Sequence, residues 1–429
     1  EWIGQVPEHW KIAQIKRISA LNPRKSTLSE EKDSLCTFLP MEKLRTNAVT
    51  LDETRPIHEV YGGYSYFCDG DILIAKVTPC FENGNIAIAN GLVNGIGFGS
   101  TEINVLRVNG KGHNRFLYYR LQEEQFRTIA KSEMRGTGGL KRVPTDLFES
   151  FTIGLPDTDE QATIAATLDR ETARIDALIE KKNRFVELLK EKRQGLITHA
   201  VTKGLDRNAK MKDSGIEWIG QVPEHWEATK LKHVAAFSGG GTPSKENPDY
   251  WNGCIPWVSP KDMKHEVITD SIDHITTKGL ENSATKLIDS GAVLLVARSG
   301  ILRHTIPVGI NNVPVSLNQD MKALSLDETR VRPRFILRWV QGLNRSLLGI
   351  WAKEGATVES LEHEYVANTR LPLPDLKEQD AILATLDLET ARIDALISKS
   401  EQSITLLKER RAAFITAAVT GQIDLRGKQ

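Results

Sequence analysis

The stretch LPDTDEQATIAATLDRETARIDALI, Leu155 to Ile179, is written a second time as LPDLKEQDAILATLDLETARIDALI, Leu373 to Ile397, 218 positions further on. The likeness continues in LLKEKR at Leu188 against LLKERR at Leu406, and in LITHAVT at Leu196 against FITAAVT at Phe414. Both copies open on Pro-Asp with a Glu-Gln pair close behind, residue types that suit a helix amino terminus, and both run on without proline. A spacing of about 3.5 residues threads the first copy through Ile164, Leu168, Glu171, Ile175, Leu178, Lys182, Phe185, Leu189, Lys192, Leu196 and His199. In the second copy the same spacing takes Ile382, Leu386, Glu389, Ile393, Leu396, Ser400, Ser403, Leu407, Arg410, Phe414 and Ala417. A helix over 159–202 would be roughly 66 Å long at ~1.5 Å per residue, and its apolar stripe must be buried against something. Glu171 and Lys182 argue against a purely hydrophobic zipper. The simplest partner for one repeat is the other, as an antiparallel pair, because a two-fold relation lets one surface serve both helices. The alternative is a pair of separate helices, each docked on its own domain.

Working outward, EWIGQVPEHW at Glu1 to Trp10 returns unchanged as Glu217 to Trp226. The order is decapeptide, variable region, long repeat, then the same again, so a fixed frame carries two different inserts. The inserts hold short apolar runs flanked by Gly, Asn and Asp, such as GDILIAKV at Gly70, GNIAIAN at Gly84 and GAVLLVARSG at Gly291. These runs predict strands in mixed sheets. Each insert also has a helical stretch, RFLYYRLQEEQFRTIA from Arg115 and RFILRWVQGLNRSLL from Arg334. The expected fold is α+β: two mixed α/β globules joined by two long repeated helices in an antiparallel coiled coil with pseudo-two-fold symmetry. The expected divisions are 1–154 and 207–372 for the globules, and 155–206 and 373–429 for the helices. Trp2, Ile3, Val6 and Trp10 are expected to pin the chain's entry into each globule against the helix frame.

The 429 residues include 56 Lys plus Arg and 56 Asp plus Glu, so no net charge marks a nucleic-acid partner, and any DNA contact must come from local patches or from partners. Cysteines 36, 68, 80 and 254 form no C-x-x-C pair and have no accompanying His-x3-5-His, which points away from a disulfide framework or a zinc module. The longest apolar run, AVLLVA at Ala292, is too short to span a bilayer, and a cytoplasmic location is expected. The first residue is Glu1, whereas the second decapeptide is preceded by MKDSGI. The first copy is therefore expected to have lost a similar lead-in.

Several fragments imitate catalytic signatures. FSGGG at Phe237 has the F-x-G-x-G form of an S-adenosylmethionine loop, and NPDY at Asn247 resembles the N-P-P-Y that holds a flipped adenine. The two stand side by side, however, where a doubly wound sheet would keep cofactor loop and base pocket on different strands, and Asp249 replaces the second proline. Pro156-Asp157 with Glu180-Lys181-Lys182 imitates a nuclease PD…ExK site, but the second copy reads Ser398-Lys399-Ser400. No G-x-x-x-x-G-K-[ST] loop is present, so ATP hydrolysis by this chain is not expected.

Loops that offer hydrogen-bond donors remain. RGTGGLKR presents Arg135, Thr137, Lys141 and Arg142 on a flexible backbone, and AKEGAT offers Lys353 and Thr357 at the corresponding place in the second copy. ARSGILRH presents Arg298, Ser299, Arg303 and His304 after a strand, and Lys76 and Thr78 follow a comparable strand in the first insert. Arginine bidentate to guanine is the commonest specific major-groove contact, which makes Arg135, Arg142, Arg298 and Arg303 the leading candidate readers.

The EWIGQVPEHW entry, the LP…EQ…IA.TLD.ETARIDALI helices, TPCFENGNIAI…GFGSTE from Thr78 and SGGGTPSKENPDYW…IPWVSPKDM from Ser238 together resemble the specificity subunit of type I restriction-modification enzymes. The resemblance covers nearly the whole chain. It implies two target recognition domains on two spacer helices, with no catalytic residues, no metal site and no cofactor of its own. It also implies double-stranded DNA as ligand and two adenine methyltransferase subunits using S-adenosylmethionine as partners. For cleavage, it implies ATP- and magnesium-dependent translocase-nuclease (restriction) subunits. Two other readings are a coiled-coil scaffold whose inserts bind proteins, and an autonomous adenine methyltransferase.

Overall fold

The computed structural model describes residues 4–28, 31, 33–137, 139–353 and 358–426. They divide into two compact units, Glu1–Asn183 with Gln402–Gln429 and Arg184–Glu401. In the first unit the chain enters through β1 (Lys11–Gln14), which pairs antiparallel with β10 (Thr152–Leu155), Ile12 opposite Gly154, so the two ends of the globule are tied together. The predicted strands form. Fully buried β6 (Ile72–Ala75) is central to an antiparallel sheet ordered β2 (Ser19–Leu21), β9 (Ile103–Val108), β6, β7 (Ile86–Ile88). A second sheet runs β4 (Thr54–Pro56), β3 (Leu35–Leu39), β8 (Ile96–Gly99), β5 (Ser65–Cys68), with β3 and β8 parallel.

The helical stretch predicted from Arg115 is divided into α1 (Asn114–Arg120) and a following helix, Glu124–Ser132. Glu123 causes the break. Its carboxylate accepts from the backbone N–H of Phe126 at 2.8 Å, and a capping residue must leave helical geometry to do so. The same carboxylate pairs with Arg120 at 2.5 Å, both side chains being buried. The long repeat follows as α2 (Thr158–Lys203), capped by Asp157, which accepts from Glu160 N–H at 2.8 Å.

The second unit repeats this plan with different strands. Strand β11 (Glu227–Lys230) pairs with β20 (Arg370–Leu373), Ala228 opposite Pro372. The larger sheet is ordered β12 (Ala235–Gly239), β19 (Met321–Leu326), β16 (Val293–Val296), β17 (Val308–Asn311), β14 (Val267–Ile268). The smaller one is β15 (Asp273–Ile275), β13 (Trp251–Val258), β18 (Ser316–Leu317). Here too the predicted helix is broken, into α3 (Pro333–Gly342) and Asn344–Trp351, at Leu343. Fully buried Trp226, Trp339 and Trp351 share this core with the sheet. Burying each large apolar side chain contributes about 1.5–3 kcal/mol. The second repeat is α4 (Leu376–Val419), capped by Asp375 at 2.8 Å from Glu378 N–H.

Each unit holds the start of one long helix and the end of the other. In the first, Ile164 and Leu168 share a core with Ile415, Ala418 and Val419, and Arg411 Nε lies 3.0 Å from Asp176. In the second, Ile382 and Leu386 share a core with Ile197, Ala200 and Val201, and Arg193 Nε lies 3.0 Å from Asp394. The two ion pairs join repeat-equivalent residues. In both, the Nε–H is not aimed along the contact, so these are charge pairs rather than aligned hydrogen bonds.

The expected 3.5-residue stripe holds only in part. Ile164, Leu168, Ile175 and Leu189 are buried, but Leu178 and Phe185 are 42% and 45% exposed, and Lys192 and His199 also face solvent. Thr172, Val186, Ile197 and Ala200 are buried instead. In α4, Ile382, Leu386, Ile393 and Ser400 of the expected stripe are buried, but Leu396 and Arg410 are exposed and Thr390, Ile404 and Ala418 are buried instead. Both seams recur at about 3.6 residues, the period of a straight helix, which drifts by about 20° per heptad from a 3.5 repeat. No helix among the described residues is long and apolar enough to cross a membrane.

Candidate nucleic-acid interface

The repeated frame holds each globule by a few side chains at equivalent positions. Gln161 and Gln379 are fully buried at the start of the long helices. Gln161 Oε1 accepts from the backbone N–H of His113 at 2.8 Å, and Gln379 Oε1 from that of Arg332, also at 2.8 Å. Their amide nitrogens donate to Pro156 O and Pro374 O, each at 2.9 Å. These bonds go to backbone, so the glutamine accommodates any side chain the insert brings. Two turns on, Asp169 takes Arg115 Nε at 2.7 Å and Tyr119 Oη at 2.6 Å, while Asp387 takes Arg334 at 2.7 Å and Arg338 at 3.4 Å.

The decapeptide closes on the same helix starts. Trp10 Nε1 donates to Glu160 at 3.2 Å with His9 Nε2 2.9 Å from the same carboxylate. Trp226 Nε1 and His225 Nε2 repeat this on Glu378 at 3.1 and 2.7 Å. Trp10 thus pins the entry as expected, whereas Trp2 and Ile3 lie outside the described residues.

In the first unit, the fold gathers the six candidate residues at one end of the β2–β9–β6–β7 sheet. Arg135 and Arg142 close a hairpin loop, exchanging backbone hydrogen bonds at 3.0 and 2.8 Å. It is stitched to Thr78, whose hydroxyl donates to Gly139 O at 2.7 Å and accepts from Lys141 N–H at 2.9 Å. That hydroxyl is a loop staple. Lys76 is half-buried at the end of β6, and its carbonyl accepts from Val143 N–H at 2.8 Å. Arg135 is exposed and 3.6 Å from Glu133, and Thr137 is exposed at the hairpin tip. Arg142 is committed: Nε and Nη2 both donate to Glu102 at 2.8 Å. This guanidinium holds the Glu102 carboxyl below the usual glutamate range.

In the second unit, Arg298 and Ser299 line an open cleft of about 720 Å³ with Lys245, Trp257, Lys261 and Gln319. Arg298 Nε donates to Asp320 at 2.6 Å. Ser299 Oγ accepts from Ile301 N–H at 3.4 Å, starting the turn 300–303. Arg303 Nε donates to Glu359 at 2.9 Å and, with exposed His304, borders a separate cleft of about 1070 Å³ against Arg345 and Asn344. Lys353 Nζ is 3.5 Å from Glu362, and its backbone N–H donates to Ser360 O at 2.8 Å. Thr357 lies outside the described residues.

Sequence reasoning missed the carboxylates. Glu102 and Asp320 hold the same place in the two globules: the Glu102 carbonyl accepts from Lys76 N–H at 3.0 Å and the Asp320 carbonyl from Ala297 N–H at 2.7 Å, each at the end of the central strand. The signal was present, since both stand immediately before the longest strand of their sheet, in STEINVL and NQDMKAL.

The fragments that imitated catalytic motifs serve the fold. A Cβ on Gly240 of FSGGG would lie 1.9 Å from the Asn318 carbonyl oxygen, so this glycine permits a close backbone approach to the loop that carries Asp320. Asn247 of NPDY caps a single helical turn, accepting from Asp249 N–H at 3.1 Å, and Asp157 is a helix cap. No group of three or more potential metal ligands occurs among the described residues.

The family model described as the type I restriction modification DNA specificity domain matches residues 7–188 and 223–406. The chain is 31% identical over 225 residues to the type I restriction enzyme EcoR124I/EcoR124II specificity subunit of Escherichia coli, covering 52% of this chain and 48% of that one. It is 37% identical over 163 residues to the Escherichia coli EcoAI specificity subunit, covering 37% and 27%. With the MjaVIII specificity subunit of Methanocaldococcus jannaschii the identity is 22% over 449 residues, covering 98% and 95%. The chain thus spans about half the length, or less, of the Escherichia coli relatives it matches. Its fold is shared with a chain of a type I R-M system assembly, at TM-score 0.78 and 18% identity over 98% of this chain and 100% of that one. It is also shared with the HsdS subunit from Thermoanaerobacter tengcongensis, at TM-score 0.60 and 18% identity over 98% of each chain. Two matches that together take in both inserts and most of both long helices make this chain a member of the type I restriction modification DNA specificity family.

Proposed function

We propose that this chain is the DNA-recognition subunit of a type I restriction-modification complex and reads a bipartite, asymmetric target. The observation that carries this reading is the pair of cationic loop clusters. Each sits at the same end of its globule's main sheet, and each globule is held by the same Gln, Asp and Glu positions of the repeated frame. Identical mounting with different loops is what two unlike half-sites require. On this reading, residues 1–154 and 207–372 are the two target recognition domains. The helices within 155–206 and 373–429 are the spacer, an antiparallel coiled coil with pseudo-two-fold symmetry that sets the half-sites about one helical turn, ~34 Å, apart. Lys76, Thr78, Arg135, Thr137, Lys141, Arg142, Arg298, Ser299, Arg303, His304, Lys353 and Thr357 remain the candidate DNA contacts.

Two adenine methyltransferase subunits carrying S-adenosylmethionine are the proposed partners, joined for cleavage by restriction subunits that bring ATP and magnesium chemistry. The exposed leucines support two equivalent docking places. Leu178 and Leu406 are 42% and 64% exposed in the first unit, and their repeat equivalents Leu396 and Leu188 are 46% and 45% exposed in the second. The zero net charge supports a further point, that the partners supply much of the phosphate grip. The chain is therefore a non-catalytic, cytoplasmic specificity subunit.

The test is to co-express the chain with its cognate methyltransferase subunit and to map methylated adenines across the host genome. A single bipartite motif with one modified adenine per half is expected. An intact complex that leaves no motif would overturn the reading in favour of a protein-binding scaffold.

A further inference from the structure

We propose that Arg298 reads a guanine in the half-site of the second domain, presented for that purpose by Asp320. This deepens the DNA-recognition reading and rests on it. Arg298 is held twice by one residue: its backbone N–H donates to the Asp320 carbonyl at 3.1 Å and its Nε to the Asp320 carboxylate at 2.6 Å. Asp320 is itself anchored, its N–H donating to Asn318 Oδ1 at 3.0 Å and its second carboxylate oxygen lying 3.3 Å from Asn318 Nδ2. The side chain of Asp320 is 23% exposed and that of Arg298 is 51% exposed. With Nε occupied, the two terminal nitrogens take no partner among the described residues, and the side chain borders the 720 Å³ cleft. A guanidinium fixed at Nε and open at both Nη atoms offers the parallel pair of donors that matches guanine O6 and N7.

The carboxylate also selects the ligand. A phosphate brought to Arg298 would meet the charge of Asp320, whereas the major-groove edge of guanine is neutral and offers the two acceptors O6 and N7, so the pair favours that base over the backbone. Lys245 and Lys261, on the same cleft, have no paired carboxylate among the described residues and suit the flanking phosphates. Arg142 in the first domain is different. Its Nε and Nη2 both donate to Glu102, so the carboxylate there takes two of the five N–H donors where Asp320 takes one, and less of the guanidinium is left for a base edge. Arg303 has a partner for its Nε as well, but it is 69% exposed and borders the other cleft.

The experiment uses the full chain co-expressed with its cognate methyltransferase subunit, as wild type, Arg298→Lys, Arg298→Ala, Asp320→Asn and, in the other domain, Arg142→Lys. Methylated adenines are mapped in each strain. Wild type is expected to show a motif with an invariant guanine in one half. Arg298→Lys keeps the charge and the stem, and should lower discrimination at that one position by about 10- to 100-fold while every other position of the motif is kept. Asp320→Asn, a change to a positioning residue, should relax the same position to a smaller degree, and Arg142→Lys should leave it unchanged. A motif that Arg298→Lys and Arg298→Ala leave unaltered overturns the assignment, and so does uniform loss of methylation at all sites in an intact complex, which is the signature of a phosphate contact. Should Arg298→Ala fail to assemble, Arg298→Lys still decides. Absence of any motif in the wild type would remove the DNA-recognition reading, whereas an unaltered motif in the variants removes the guanine reader alone.

Discussion

The indole nitrogen of Trp226 donates to Glu378 Oε2 at 3.1 Å, joining the last residue of the second decapeptide to the first turn of the helix that begins 150 residues later in the chain. Trp10 and Glu160 make the same bond at 3.2 Å in the first unit. The pair explains why one ten-residue phrase is written twice: each copy must fit the same helix start. The carboxylate also lies in the first turn of its helix, where negative charge is favoured.

Trp226→Phe should therefore cost the second unit about 1–3 kcal/mol, since it strips a part-buried carboxylate of a donor. Trp226→Ala should cost about 3–5 kcal/mol, because the ring is fully buried. Denaturant unfolding with hydrogen exchange resolved by unit checks both, and the first unit should keep its protection.

Gln379→Ala would leave the N–H of Arg332 without its 2.8 Å acceptor and the carbonyl of Pro374 without its donor. A loss of about 1–3 kcal/mol is expected, with faster amide exchange at Arg332. Gln161→Ala should do the same at His113. Equal exchange in variant and wild type would show that the glutamines do not mount the inserts.

The Arg193–Asp394 and Arg411–Asp176 pairs are partly exposed and poorly aligned, so each should contribute no more than about 1 kcal/mol. A double-mutant cycle with Arg193→Ala and Asp394→Ala measures this. Exchanging the two charges in one variant should restore most of the stability lost by either reversal alone.

At Glu102 the Arg142 guanidinium lowers the carboxyl from the ordinary 4.5. A group depressed by folding stabilises above its unfolded value. The contribution of this pair is thus complete above about pH 4.5 and disappears as pH falls through the lower folded value. Carbon-detected titration should place the Glu102 midpoint below 4.5, and Arg142→Ala should return it towards that value.

Gly240 faces the Asn318 carbonyl too closely for any side chain. Gly240→Ala should cost about 1–3 kcal/mol and displace the loop that carries Asp320, lowering sequence discrimination more than assembly with the partner subunits. Retained discrimination at wild-type stability would show that the loop tolerates the shift.

The repeats, the two inserts and the helical frame were legible in the sequence because their signals are local. Asp157 and Asp375 cap the long helices through neighbours three residues away, and the run Ile72–Ala75 is apolar in one unbroken stretch. Repetition of LPD…EQ, TLD and EHW marked Gln161, Asp169 and Glu160 as parts of one frame before their partners were known. Tertiary structure decided what depends on residues far apart. It moved the helix seam from Leu178 and Phe185 to Thr172 and Val186, because the period of a straight helix, not the sequence's heptad, sets which side faces the neighbour. It also sorted the cations, which look alike in sequence: Arg142 is gripped side-on at two nitrogens by Glu102, forty positions away, while Arg298 is held at one nitrogen by Asp320 and left open at two. Whether a charged side chain is spent or offered depends on which carboxylate the sheet brings beside it, and that proximity exists only once the strands have paired.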